Sequence, residues 1–179
     1  MPTLLTVGHY TRAVEDFLGI LKAHGVERLV DIRTVPRSRH NPQFSQEALQ
    51  EALRKEGIAY THLAGLGGLR HSRKDSINTA WRNASFRGYA DYMQTEEFAR
   101  SLDQLIALAA KESVAIMCAE AVPWRCPRSL VADALTARGI PVEHIMSAAK
   151  REPHSVTPFA VIEGARVTYP GRPEQLELC

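Results

Sequence analysis

Val114-Ala-Ile-Met-Cys118-Ala-Glu120-Ala-Val-Pro-Trp-Arg-Cys126-Pro-Arg128-Ser-Leu-Val-Ala-Asp-Ala-Leu135 decides the fold. Val114 to Cys118 is a continuous apolar run and reads as a buried strand. A short loop follows with two thiols, a carboxylate and guanidinium groups. Pro127 suits the first turn of the amphipathic helix that comes next, because its missing N–H has no partner there anyway. A strand-loop-helix junction is where open parallel sheets place their ligands.

Upstream, Thr95 is placed to cap a helix with Phe98, Leu102, Leu105, Ile106 and Ala109 on one face. Phe86 to Met93 reads as a shorter helix before it. Downstream, Gly139 ends the helix and Val142 to Met146 reads as another strand. Pro158 to Glu163 and Arg166 to Tyr169 suggest a hairpin around Gly164-Ala165, with a loose tail from Gly171.

The first half repeats the alternation. Thr3 to Val7 is a strand ending at Gly8-His9, and Thr11 is placed to cap a helix bearing Val14, Phe17, Leu18 and Leu21. Arg28 to Ile32 is a second strand, followed by an irregular loop from Arg33 to Pro42. Ser45 starts a helix, with Phe44 and Leu49 at hydrophobic-staple spacing and Gly57 as its stop. Ile58 to Leu63 is a third strand. Gly65-Leu-Gly67-Gly68 opens a long irregular stretch to Asn83, a substrate-facing loop or a mobile surface loop.

Alternating strands and helices imply a single α/β domain over 1–179: a Rossmann-like three-layer sandwich with a mostly parallel five-stranded sheet plus a C-terminal β-hairpin. Composition agrees, with 45% hydrophobic and 23% charged residues. No apolar run is long enough to span a bilayer, and no leader opens the chain, so a cytoplasmic protein is expected. Three cysteines argue against a disulfide framework. Net charge is only +2, yet Arg33 to Arg87 holds ten Lys/Arg against four Asp/Glu. That basic segment suggests an anionic partner or a solvated surface.

Right-handed crossovers put the strand carboxyl ends on one edge, gathering His9, Asp31, Arg33, His62, Cys118, Glu120 and His144. At the expected cap of a helix, Cys126 is a candidate thiolate, favoured by the helix dipole and by Arg125 and Arg128. Cys118 reads equally as a core thiol. Their spacing is not Cys-x-x-Cys, so it signals no redox couple, and it is too wide for a zinc knuckle. Glu120 suits a general base, a ribose ligand or a loop-orienting ion pair. Asp31 and Arg33 are candidates for binding or for a structural pair. The turn at Gly8-His9 suits phosphate, while the absent Gly-x-Gly-x-x-Gly leaves no dinucleotide cofactor expected. Arg37, Arg39, Arg87, Tyr89 and Arg128 complete the expected substrate-binding surface, aromatics beside cations.

Val7-Gly8-His9, Val30-Asp31-Ile32-Arg33, Pro36-Arg37-Ser38 and Asn41-Pro42-Gln43-Phe44 resemble the family called domain of unknown function 488. So do Asn83 to Met93, Cys118-Ala-Glu120 and Cys126-Pro-Arg128-Ser-Leu, and the likeness runs over about 6–170. The resemblance implies a Rossmann-like α/β fold and fixes no chemistry. The family usually carries His between the second Cys and the Arg. Pro127 stands there in this chain, which therefore offers no imidazole at that position as metal ligand or proton carrier. The layout is also similar to rhodaneses and cysteine phosphatases. Cys118 to Arg128 is too long, and Cys126 to Arg128 too short, for their anion-binding loop.

Three functions remain open on these residues. The first is an enzyme acting on a phosphate-bearing substrate, nucleotide or nucleic acid, by group transfer or hydrolysis, with Cys126, Cys118 and Glu120 reactive. The others are a non-catalytic nucleic-acid-binding module and a thiol redox or metal-binding protein.

Overall fold

A computed structural model describes residues 3–171. The expected tail beyond Gly171, with Cys179, lies outside the described residues. Strands β1 (Leu4–Gly8), β2 (Arg28–Asp31), β3 (Ala59–His62), β4 (Val114–Cys118) and β5 (Val142–Ser147) run parallel. A sixth strand, β6 (Lys150–Pro153), joins antiparallel to β5, giving the order β3-β2-β4-β1-β5-β6. The sequence reading had five strands here. All four residues of Lys150-Arg-Glu-Pro are exposed, so no apolar pattern marks the strand, and its charges and proline suit an edge.

The two central strands explain themselves. In β4 and β1 every residue is buried, as a strand covered on both faces requires. Side chains alternate across the sheet. Leu5, Val7, Leu29 and Met117 pack on Phe17 and Leu49 from helices α1 (Val14–Ala23) and α2 (Gln46–Lys55). Leu4, Val30, Val114 and Ile116 pack on α3 (Ala84–Tyr92), α4 (Glu96–Ala109) and α5 (Arg128–Ala137). The result is the three-layer sandwich. A separate hairpin of β7 (Val161–Glu163) and β8 (Arg166–Thr168) adds Val167, and next to it Tyr169, to the second core.

Local signals fare unevenly. Thr95 caps α4 through Phe98 N–H, at 3.2 Å. Thr11 does not cap α1: a turn in which Arg12 N–H donates to His9 C=O carries the chain to Ala13, the residue that precedes the helix. Phe44 and Leu49 are both buried in one cluster, as a staple demands. Cys126 is not the cap of α5. A 3-10 turn, Pro123–Arg125, intervenes and Pro127 takes the cap position. His144 pairs in register with Thr6, inside the sheet rather than at its edge.

Neighbouring strands β1 and β4 leave the sheet toward opposite layers, β1 to α1 and β4 to α5. Their carboxyl ends form a topological switch point, the place where such sheets bind ligands.

Candidate functional site

At this edge a cleft of about 380 Å³ opens between the ends of β2 and β4 and the starts of α3 and α5. Cys118, Glu120, Arg125, Cys126 and Arg33 line it, with Gly68, Leu69, Asn83 and Phe86 opposite. The 3-10 turn folds the chain back, so the sulfurs of Cys118 and Cys126, eight residues apart, come into bonding contact. Linear spacing gave no sign of that contact. Both cysteines are buried. Glu120 is exposed, and only its backbone carbonyl is held.

That holding is done by Arg128. Its Nη2 donates to the carbonyls of Glu120 (3.1 Å) and Ala121 (2.9 Å). The side chain is fully buried, and its Nε and Nη1 have no protein partner. Burial pulls its pKa down to about 10, so it stays charged at neutral pH. Gly8 faces the same loop: a Cβ there would run into the Glu120 carbonyl. The expected ligand approach at Gly8 is thus filled by the protein's own backbone. Gly67 likewise lies against Thr34, and Gly65 against Ser101.

Beside the cleft sits a second polar cluster. Asp31 is fully buried and accepts from Arg33 Nε (2.9 Å) and Nη2 (2.7 Å), a bidentate pair. Tyr60 donates its hydroxyl to Asp31 Oδ2 at 2.6 Å, and burial raises the Tyr60 pKa, keeping that proton in place. His9 donates Nδ1–H to Tyr10 C=O, which leaves Nε2 facing Arg33 Nη1 at 3.5 Å. Burial holds His9 below the ordinary histidine pKa, and Arg33 adds to the effect. His9 also stacks on Phe44. Arg33 belongs to both groups: it lines the cleft and holds Asp31.

The expected residues thus divide. Arg33, Cys118, Glu120 and Cys126 line one cleft. Asp31 and His9 stand behind Arg33, while Gly8 and Arg128 shape the loop from below. Arg37 and Arg39 lie exposed on the loop after β2. Arg87 spends its Nε on Trp81 C=O. Tyr89 is buried in the α3–α5 core with its hydroxyl on Leu66 C=O, so the structure moves it away from any ligand surface. The sequence reading missed Tyr60, Asn83 and Leu69 as parts of the site. A signal existed for Tyr60, which shares a face of β3 with His62.

A third polar group crosses the interior. Thr6, His144, His154 and Asp133 form one hydrogen-bonded chain, which Tyr169 and Thr157 close at the Asp133 carboxylate. It ties the C-terminal segment to α5, β5 and β1. Among the described residues no group of three His, Cys, Asp or Glu is placed to hold a metal ion. Nor, among them, is any helix long and apolar enough to cross a membrane.

No curated protein and no solved structure matches the chain. A family model does match over residues 13–135, from the start of α1 through the thiol loop into α5. That span holds all the cleft's residues, and the chain belongs to the family described as Domain of unknown function DUF488.

Proposed function

We propose that the cleft belongs to an enzyme acting on a phosphate-bearing substrate, nucleotide or nucleic acid, by group transfer or hydrolysis. One observation carries this reading: the paired sulfurs of Cys118 and Cys126, the Glu120 carboxylate and Arg125 share a cleft beside the starts of α3 and α5. Helix starts and guanidiniums attract anions. Arg125 binds the anionic group. Once a dithiol reductant, itself oxidised to a disulfide, has given two electrons and two protons to the sulfur pair, the Cys126 thiolate attacks the bound electrophilic centre. Alternatively, Glu120 takes a proton from water, which attacks instead. In both routes the leaving group departs with the bonding electron pair and gains a proton. The protein acts in the cytoplasm in this reading.

Thermal unfolding with nucleotides, phosphate esters and short oligonucleotides tests it. A ligand at about a hundred times its Kd adds about 2.7 kcal/mol, which moves the midpoint by several degrees. No rise with any of them removes the reading.

A second reading, a thiol redox protein, is favoured by the bonding contact of Cys118 and Cys126. Peptide mapping decides it. The redox reading expects both cysteines to resist alkylation until a reductant is added. Equal labelling before and after reduction eliminates it.

A further inference from the structure

We propose that a second cleft, across the Pro123–Arg125 turn from the first, is a nucleobase-stacking subsite, and that the substrate is a single-stranded nucleic acid. The inference rests on the phosphate reading above and gives it a polymer. The second cleft encloses about 420 Å³. Its walls are aromatic and proline-rich: Trp81, Trp124 and Phe159, with Pro123, Pro153 and Pro158.

Two walls are shared with the thiol cleft. On the 3-10 turn, Arg125 lines the thiol cleft and Trp124 the aromatic one. In the second wall, Phe86 of the thiol cleft stacks on Trp81 of the aromatic one, with ring centroids 5.0 Å apart and planes at 21°. An anion-binding space and a ring-binding space therefore stand one side chain apart. Phosphate and base follow each other at that scale along a nucleotide chain.

Trp124 is 66% exposed, a large ring held open at the rim. Trp81 meets Phe159 edge-on at 4.9 Å. Ser155 supplies a hydroxyl for base edges, and Ser129, which donates its own proton to Cys126 C=O, supplies an acceptor oxygen. His154 has both ring nitrogens engaged, by His144 and Asp133, and serves as fixed floor rather than reactive base.

Charge favours a polyanion around this pair of clefts. Arg125 lines the thiol cleft and Arg82 follows Trp81 in the chain; neither has a carboxylate partner among the described residues, and together they outweigh the unpaired Glu120, while Glu152 at the aromatic cleft is neutralised by Lys150. Stacking faces are available on a single strand and closed in a duplex, so a single strand is the occupant that fits.

Both tryptophans of the chain line this cleft, so intrinsic fluorescence reports on it directly. The full chain is titrated with short single-stranded DNA or RNA, with a duplex of the same sequence, and with a nucleoside monophosphate. The single strand is expected to quench the tryptophans and to bind at least about tenfold tighter than the duplex. Trp124→Ala is expected to weaken single-strand binding by about tenfold, the value of one stacked base. Its stabilisation by ribose 5-phosphate, a phosphate ester with no base to stack, stays unchanged. Stabilisation by the monophosphate without any single-strand advantage or Trp124 effect overturns the stacking subsite and leaves the phosphate reading standing. Binding of neither overturns both. Concentration-dependent self-association that quenches the tryptophans with no oligonucleotide present assigns the cleft to a second copy of the chain, and also overturns the proposal.

Discussion

The two ends of the parallel sheet are built from different materials. At the amino end the chain turns on Gly25, Gly57 and Gly139, each with positive φ. Charges there pair at the surface, Arg28 with Glu112 and Lys22 with Glu56. At the carboxyl end the positive-φ residues are Tyr10 (49°) and Leu69 (60°), and both are exposed. That end also buries three charges, Asp31, Arg33 and Arg128, beside its exposed ones. A turn needs only glycine, and solubility needs only exposed charge. Strained apolar residues and buried ions cost stability that folding alone does not demand, and such costs gather at functional sites.

The largest test of this contrast is the buried pair. Asp31→Ala leaves the Arg33 guanidinium buried without its carboxylate, and the expected loss is about 3–5 kcal/mol. Lys22→Ala breaks an exposed pair, with an expected loss below about 1 kcal/mol. Urea denaturation of both variants measures the difference. Comparable losses would erase the distinction between the two ends.

Acid gives an effect of intermediate size. Burial, then His154 and Arg128, push His144 down to about 3, with Asp133 opposing, and burial lowers His9 as well. Below pH 6.5 the unfolded chain binds protons that these folded imidazoles refuse. Stability therefore falls as pH falls through that range. Between pH 6.5 and 5 His144 alone is expected to account for about 1–2 kcal/mol. Chemical denaturation across this range checks the sign, and His144→Gln should flatten the slope. A slope unchanged by that variant would place the acid sensitivity elsewhere.

What was legible in the sequence follows from what is local. Val114–Cys118 has the same bounds as a sequence pattern and as a strand, because burial on both faces leaves an unbroken apolar run. The helix stops at Gly57 and Gly139 were legible because each sits at a left-handed position that favours glycine. β6 was not, because an exposed edge strand carries no apolar period. Neither was the contact between Cys118 and Cys126, which depends on how a 3-10 turn folds through space. Tyr89 misled because an aromatic beside Arg87 looks alike in a core and on a binding face; only the packing of α3 separates them. His144 misled because its place is set by register with β1, and no residue near it in sequence records that register. Arg33, Cys118 and Glu120 were legible as a group because each lies at or just beyond a strand end, where parallel topology converges; Cys126 reaches them only through the 3-10 turn.

The smallest effect is the sharpest, because it should change sign between the two ends. Gly57→Ala at the amino end meets no atom within 4 Å of its new Cβ, so its cost is purely that of a left-handed alanine, about 1 kcal/mol. Leu69→Gly at the carboxyl end relieves the same strain in reverse. Leu69 is 81% exposed, so little burial is lost with its side chain. Released strain outweighs the added freedom of the unfolded glycine chain, and a gain of about 0.5–1 kcal/mol is expected. Because Leu69 also lines the thiol cleft, the stabilised variant should bind phosphate-bearing ligands more weakly. Thermal unfolding of the variant with and without nucleotide reads both effects in one experiment. A destabilised Leu69→Gly, or one whose ligand response matches the parent, would mean that Leu69 is held left-handed by packing and not kept for the cleft.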